Sequence, residues 1–181
     1  MIFYSFLPTF HQFFEFYPRK VYTGAFPVNR GGAMSSVLDF RIREGNTEKQ
    51  TFKTTLGASE ISLSGSGHFN KHTTYLFSIR QSYLQLLFQV LGLPLLPNFT
   101  DGQFKIKSTL KNQDEIMIIG ITGVDRMKLN TKLTGDYAEY LLGYLPIILQ
   151  ETFTTGISYR HFAGKHTQTY IASHSYLNNR Y

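Results

Sequence analysis

The chain has 181 residues, a formal net charge of +6, 42% hydrophobic residues and 17% charged residues, with 16 Phe and 12 Tyr. This composition fits roughly one folded domain and excludes a disordered chain, because apolar residues are too many and charges too few. The sequence contains no Cys, which excludes disulfides, thiolate nucleophiles and Cys-ligated metal sites. No apolar run reaches about 18 residues, so no transmembrane helix is predicted.

The first 20 residues are rich in Phe and Tyr but are interrupted by Pro8, His11 and Glu15. A secretory signal would start with Lys or Arg, continue through an uninterrupted apolar stretch and end at small residues. None of these features is visible, so we expect no signal peptide in this segment and assign it no fold.

Alternating polarity predicts β-strands over most of the chain from about Ser36 onward, because period-two side chains lie on opposite faces of a sheet. The pattern is clearest where Phe104, Ile106, Ser108 and Leu110 alternate with Lys105, Lys107, Thr109 and Lys111. Seven strands are predicted near 48–57, 59–69, 73–83, 102–112, 114–124, 150–162 and 166–177. The last of these mixes polar and apolar residues on both faces.

The connections between these strands alternate between short and long. Residues 70–72, 112–114 and 164–166 are short polar breaks that suit tight hairpins. The segments 84–102 and 125–149 are much longer. In an antiparallel meander, this alternation places all the short turns at one end of the sheet and the long loops at the other.

This asymmetry in loop length is typical of outer-membrane β-barrels, which have short periplasmic turns and longer outer loops. A strand of about ten residues is roughly 33 Å long, and a tilt of about 40° reduces its rise to roughly 25 Å, the height of the apolar band. A soluble β-sandwich also alternates. Loop lengths and low charge favour an all-β antiparallel meander that forms part of a transmembrane β-barrel.

Seven strands cannot close a bacterial barrel, whose strand number is even and starts at about eight. An open sheet in lipid leaves edge N–H and C=O groups unpaired, at a cost of several kcal/mol each. We therefore expect the chain to be part of a larger membrane protein.

Residues 21–40 read Val-Tyr-Thr-Gly-Ala-Phe-Pro-Val-Asn-Arg-Gly-Gly-Ala-Met-Ser-Ser-Val-Leu-Asp-Phe, and the charged turn Arg43-Glu44-Gly45-Asn46 follows. The Tyr-x-Gly-x-Phe-Pro segment, its Gly-containing turn and the Ser-Ser-Val-Leu-Asp strand together resemble the end of the plug domain of TonB-dependent outer-membrane receptors of the Bacteroidetes type. Residues 57–59, 78–83 and 142–146 resemble the early barrel of the same family.

The resemblance implies three segments: the unassigned aromatic-rich residues 1–20, the C-terminal end of a plug domain at 21–46, and the N-terminal part of a β-barrel domain at 47–181. It implies a receptor of the cell outer membrane that takes up a scarce ligand, such as a siderophore, a cobalamin or an oligosaccharide. The implied partners are the TonB complex, that small-molecule or glycan ligand and outer-membrane lipid. No cofactor and no enzymatic activity are expected.

The chain departs from the family pattern in two ways. The signal sequence, the TonB-contact segment and most of the plug are missing, and residues 1–20 do not resemble plug sequence. The family barrel has about 22 strands, of which about seven are predicted here. We therefore expect a fragment that is inactive by itself.

The plug-end motif supplies the candidate structural residues, and its glycines permit positive φ or close chain approach at turns. Its basic residue could neutralise a carboxylate on a polar barrel wall, or could be a solvated turn residue. The motif residues are Gly24, Pro27, Arg30, Gly31, Gly32, Ser35 and Ser36.

The remaining signals give no catalytic or metal site. His68, His72, His161 and His166 flank turns, whereas a metal needs three or four converging ligands. No carboxylates are paired for acid–base chemistry. The alternative function is a soluble β-rich module that binds nucleic acid or another anion through the Lys105–Lys111 face, but we regard nucleic acid as an unlikely partner and favour lumen-facing residues of a barrel. Residues 84–91 have helical spacing and predict a short helix.

Overall fold

The computed structural model describes residues 17–23, 27–28, 36–133, 140, 142–145 and 147–180. The chain divides into two compact units, Met1–Glu44 and Gly45–Tyr181.

The first unit contains a two-stranded antiparallel sheet. Strand β1 is Tyr17–Thr23 and strand β2 is Ser36–Arg41. Val21 lies opposite Leu38 and Thr23 lies opposite Ser36 in the register. The strand predicted from the Ser-Val-Leu-Asp sequence is therefore present as β2, and its partner β1 begins inside the segment to which the sequence assigned no fold.

The second unit is built on one seven-stranded antiparallel sheet whose strands are ordered as they occur along the chain. Its strands are β3 (Thr51–Leu56), β4 (Glu60–Asn70), β5 (Thr73–Ser82), β6 (Leu95–Thr109), β7 (Glu115–Leu129), β8 (Ile148–Ala163) and β9 (His166–Arg180). The predicted all-β, seven-strand antiparallel meander is confirmed. The predicted helix is also present, as α1 (Leu84–Val90) between β5 and β6.

From the β4–β5 turn onward, the connections alternate in length as predicted; the earlier connection between β3 and β4, residues 57–59, is short although it lies at the same end as the long loops. Residues 71–72, 110–114 and 164–165 join strands at one end of the sheet, which we call the short-turn end. Residues 57–59, 83–94 and 130–147 join them at the other end, the long-loop end. In the described part of the chain, no helix is long and apolar enough to cross a membrane.

Strands β6 and β7 are longer than predicted at the long-loop end. The sequence placed residues 95–101 in a loop because Pro94 and Pro97 interrupt them, but Leu95 pairs with Leu129 and the ladder continues without a break to Thr109. Strand β5 pairs with β6 only from Thr100 onward. Pro97 therefore lies in a stretch that has a neighbour on one side, where a missing N–H leaves no ladder bond unmade.

The register and the alternation of side chains divide the second unit's sheet into two faces. One face, which we call the apolar face, carries large apolar side chains that are exposed. Ile79 is 53% exposed, and Leu63 opposite it is 42% exposed. The same face carries the exposed residues Phe52, Leu56, Ile61, Phe104, Phe153, Ile157 and Tyr176.

Aromatic rings lie over glycines of the neighbouring strand on the apolar face. Phe77 is opposite Gly65 and Phe104 is opposite Gly120. A Cβ atom added to either glycine would lie 2.8 Å from Cζ of the facing ring. The glycines thus let the rings lie flat along the sheet, which keeps the apolar surface continuous from strand to strand.

The opposite face, which we call the polar face, is buried over its central strands. Arg80 is 4% exposed and Lys105 is 7% exposed. The other buried polar residues of this face are Ser62, Ser78, Ser82 and Gln103. In a water-soluble protein, apolar side chains fill the interior and charges remain outside, so the distribution on strands β4 to β6 is inverted. On β9 the polar face also carries exposed apolar side chains, Ile171 at 75% and Leu177 at 60%.

Candidate functional site

The predicted plug-end residues lie only partly within the described chain. Pro27 is exposed, and Ser36 is exposed at the start of β2, opposite Thr23. The other five lie outside the described residues: Gly24, Arg30, Gly31, Gly32 and Ser35.

A charged cluster on the polar face is centred on Arg80 of β5. Its Nε donates to Oδ2 of Asp101 on β6 at 2.7 Å, and its Nη1 donates to Oε2 of Glu60 on β4 at 3.3 Å. The guanidinium carbon also lies 4.7 Å from the centre of the Phe99 ring. Because Arg80 is buried and meets two carboxylates, its charge is compensated by ion pairs rather than by bulk solvent.

A second ion-pair group lies on the same face near the short-turn end. Glu115 of β7 accepts from Lys107 Nζ at 3.0 Å and from Arg160 Nη1 at 3.1 Å. Lys107 is therefore engaged in an ion pair, and Lys105 is buried. The third lysine of the predicted basic face, Lys111, is exposed.

Four buried polar atoms on the polar face have no hydrogen-bond partner among the described residues. They are Oγ1 of Thr55, Oγ of Ser62, Nδ1 of His68 and Oε1 of Gln103. Ser62 is opposite Arg80, and Gln103 is opposite Ser78 on the neighbouring strand. A buried polar group of this kind is usually satisfied by an ordered water, so this part of the polar face is suited to hydration.

A hydrogen-bonded network around Asp114 connects the β6–β7 turn to β8. The Asp114 carboxylate is fully buried and accepts from the Tyr159 hydroxyl at 2.5 Å and from the Phe162 backbone N–H at 3.1 Å. Nδ1 of His161 lies 2.9 Å from Oδ2, and Nδ2 of Asn112 donates to the same oxygen at 2.5 Å. The network holds the turn against the neighbouring strand.

These donors control the protonation of Asp114. The Tyr159 hydrogen bond, aided by those of His161 and Phe162, holds the pKa of Asp114 well below its ordinary value of 3.8, although burial opposes the shift. A carboxyl whose pKa is lower in the folded state stabilises the fold above its unfolded-state pKa, and this stabilisation is lost as the pH falls toward the folded-state value.

We therefore expect the contribution of Asp114 to the free energy of unfolding to be constant between pH 5 and 7 and to decrease as the pH falls below about 4. Asp114→Asn should lower the free energy of unfolding at pH 7. It should also make that free energy decrease less below about pH 4, because the neutral amide does not titrate. Urea unfolding of the chain in detergent from pH 2.5 to 7 measures both effects. Glu151→Gln, which removes a carboxylate that accepts from Asn178 on β9, is the control. If the free energy of unfolding of Asp114→Asn still decreased at low pH as much as that of the parent chain, the assignment of this decrease to Asp114 would be contradicted.

Sequence reasoning treated Asp114 as a turn residue and the histidines as turn-surface groups, so it missed this network. Tyr159 and His161 are separated from Asp114 by 45 and 47 residues along the chain. The available signal was the Asn-Gln-Asp break itself, because such residues initiate turns by accepting backbone hydrogen bonds. Gln113 within it adopts a positive φ of 69°.

The predicted Glu-Gly-Asn turn forms a tight contact at the start of the second unit. A Cβ atom on Gly45 would lie 2.7 Å from the Gly67 carbonyl oxygen and 2.7 Å from the Tyr75 backbone nitrogen. Asn46 follows, and its backbone N–H donates to Oγ of Ser66 at 2.9 Å. Its side-chain oxygen accepts from two later backbone N–H groups, those of Glu48 and Lys49. The chain can approach β4 and β5 this closely only at a residue without a side chain.

These arrangements position side chains at the turns and on the polar face of the sheet. Within the described residues, no group of three or more His, Asp or Glu side chains could hold a metal ion. The sheet of the second unit therefore presents an apolar surface on one side. On the other side it presents a charged surface whose charges are paired and which is partly hydrated.

No protein-family model, curated protein or solved structure matches the chain.

Proposed function

We propose that the second unit's sheet is part of the wall of an outer-membrane β-barrel, and that the chain is a fragment of a TonB-dependent receptor. Such a receptor takes up a scarce ligand, such as a siderophore, a cobalamin or an oligosaccharide, with energy from the TonB complex. The observation that carries the proposal is the inverted sheet, with large apolar side chains exposed on one face and charges buried on the other.

The length of the apolar surface fits this proposal. On β7 the apolar face is uncharged from Ile116 to Val124 and becomes charged at Arg126. Eight residue steps at about 3.3 Å are about 26 Å, and a tilt of about 40° reduces this length to about 20 Å. That value is close to the apolar band of about 25 Å in outer-membrane barrels.

The open edges of the sheet support the fragment part of the proposal. The strand order runs from β3 to β9 without closing on itself, and unpaired edge groups are costly in lipid. Further strands of a receptor must therefore complete the wall before it can transport. We expect the 181-residue chain alone to restore no ligand uptake in cells that lack a full receptor, and restored uptake would contradict the fragment assignment.

The sequence lacks Trp, so a single introduced Trp reports its surroundings without background. We propose to compare Phe153→Trp on the apolar face, where the native ring is 44% exposed, with Thr154→Trp on the polar face of the same strand. Each variant is refolded into vesicles of phosphatidylcholine, with and without bromine on the acyl chains.

Bromine quenches Trp fluorescence only at close range, so the Phe153→Trp signal should fall severalfold in brominated vesicles, whereas the Thr154→Trp signal should change little. Equal quenching at both sites, or no quenching at Phe153→Trp in a chain that retains its β-sheet circular dichroism, would contradict a lipid-facing apolar surface.

A further inference from the structure

The apolar face of the second unit's sheet ends at a polar row toward the long-loop end. One row of paired residues crosses β5 to β9 there and consists of Gln81, Thr100, Val124, Glu151 and Asn178. The Thr100 hydroxyl donates to Oε1 of Gln81, and Nδ2 of Asn178 donates to Oε2 of Glu151 at 3.0 Å. Polar side chains that satisfy one another therefore separate the exposed apolar residues from the ends of the strands.

Three basic side chains lie on the same face just beyond this row. Arg126 of β7 and Arg180 of β9 are both opposite Leu149 of β8, so their backbones are about 10 Å apart, two strand spacings. Lys128 follows Arg126 by two residues and therefore lies on the same face. Arg126, Lys128 and Arg180 are all exposed. We call these three residues the boundary cations.

The charge of the boundary cations is not neutralised by the described residues. None of the three takes part in an ion pair within the described chain. The acidic residue of the neighbouring row, Glu151, accepts from the amide of Asn178 instead. From β5 to β9, this end of the apolar face therefore carries three positive charges and one negative charge, and the excess is available to an anion.

The opposite end of the same face has a different composition. Tyr159 and Tyr170 stack there with their ring centres 6.2 Å apart, and the only ionisable partner described beside them, His161, contacts Asp114. The apolar face of the described strands β5 to β9 carries no Lys or Arg other than the boundary cations. Its positive charge is therefore confined to the long-loop end.

We infer that the boundary cations bind the anionic phosphate headgroup of a membrane lipid whose acyl chains lie on the apolar face. An amphiphile fits both surfaces at once, whereas a soluble anion would contact the cations and leave the adjoining apolar residues uncovered. Basic residues beside a membrane surface attract anionic lipids in this way. The inference rests on the proposed lipid-facing role of the apolar face. A further strand beside β9 would not alter it, because pairing at an edge leaves both faces of a sheet uncovered.

The test uses the full chain with the reporter Phe153→Trp, whose position lies on the apolar face one row inside the polar row. The chain is refolded into vesicles of equal parts phosphatidylglycerol and phosphatidylcholine, with bromine on the acyl chains of only one of the two lipids. If the boundary cations recruit the anionic lipid, brominated phosphatidylglycerol should quench the reporter more strongly, as expected for about threefold local enrichment.

Two charge variants of the reporter chain separate the boundary cations from the overall charge. Changing all three boundary cations to Gln should make quenching by the two lipids equal. The matched control removes three exposed charges at the short-turn end and should keep the preference; it combines Lys71→Gln, Lys111→Gln and Lys165→Gln. Arg126→Lys combined with Arg180→Lys keeps the charges and should also keep the preference. Circular dichroism checks that each variant retains its β-sheet.

Equal quenching by the two lipids in the parent reporter chain would overturn this inference and leave the lipid-facing surface standing. No quenching by either lipid would overturn both. A preference that the short-turn control loses as completely as the boundary variant would assign it to net charge and overturn the site. A preference abolished by inorganic phosphate in solution would assign the cations to a soluble anion and overturn the lipid as their ligand.

Discussion

Replacing Arg80 by Met is expected to lower the free energy of unfolding by about 3–5 kcal/mol, the usual cost of leaving one partner of a buried ion pair unpaired. Arg80 is 4% exposed, and its carboxylate partners Asp101 and Glu60 are 14% and 20% exposed. The substitution keeps the aliphatic length of the side chain and removes only its charge and its donors. Denaturant unfolding in detergent at pH 7 measures the loss.

The matched control is Arg160→Met, which removes an ion pair of the same chemistry at the surface. Arg160 is 48% exposed where it meets Glu115, and exposed pairs contribute about 0–1 kcal/mol. If the two substitutions cost the same, the cluster on the polar face is solvated, and the inverted distribution of charge loses its energetic support.

Gly45→Ala is expected to destabilise the second unit by about 1–3 kcal/mol, the typical cost of overpacking. The added methyl group meets backbone atoms of Gly67 and Tyr75, which belong to paired strands and cannot rotate away as a side chain can. Because β4 and β5 pair at this point, relief requires movement of the ladder. The loss of stability is measured by denaturant unfolding.

Gly143→Ala is the control, since an added Cβ there has no atom within 4 Å. We expect this variant to keep the parent stability within about 0.5 kcal/mol, as surface substitutions usually do. A Gly45→Ala variant that is as stable as the control would show that the turn can withdraw from β4 and β5.

The strand order and the assignment of side chains to faces could be predicted from the sequence because both follow from local patterns. Phe104 and Ile106 alternate with Lys105 and Lys107. This alternation decides which residues lie on the same face of the sheet, and the assignment is the same in every register that pairs residues of the same face. The short polar breaks make strands that are consecutive in the sequence pair with each other, so the strand order of the meander follows from the sequence alone.

The lengths of β6 and β7 could not be predicted in this way. Pro97 is a loop signal in isolation, and it is tolerated only because β5 does not extend far enough to pair with that part of β6. The conformational preference of a residue such as Pro97 contains no information about where the neighbouring strand ends.

The sequence by itself determined an antiparallel meander with its short turns at one end, because alternation and turn residues act over a few positions. Only the tertiary structure decided that the charged face is buried and the apolar face exposed, because periodicity separates two faces without saying which of them meets solvent. It alone brought Asp114 to Tyr159 and His161, since contacts between residues about 45 positions apart depend on strand register.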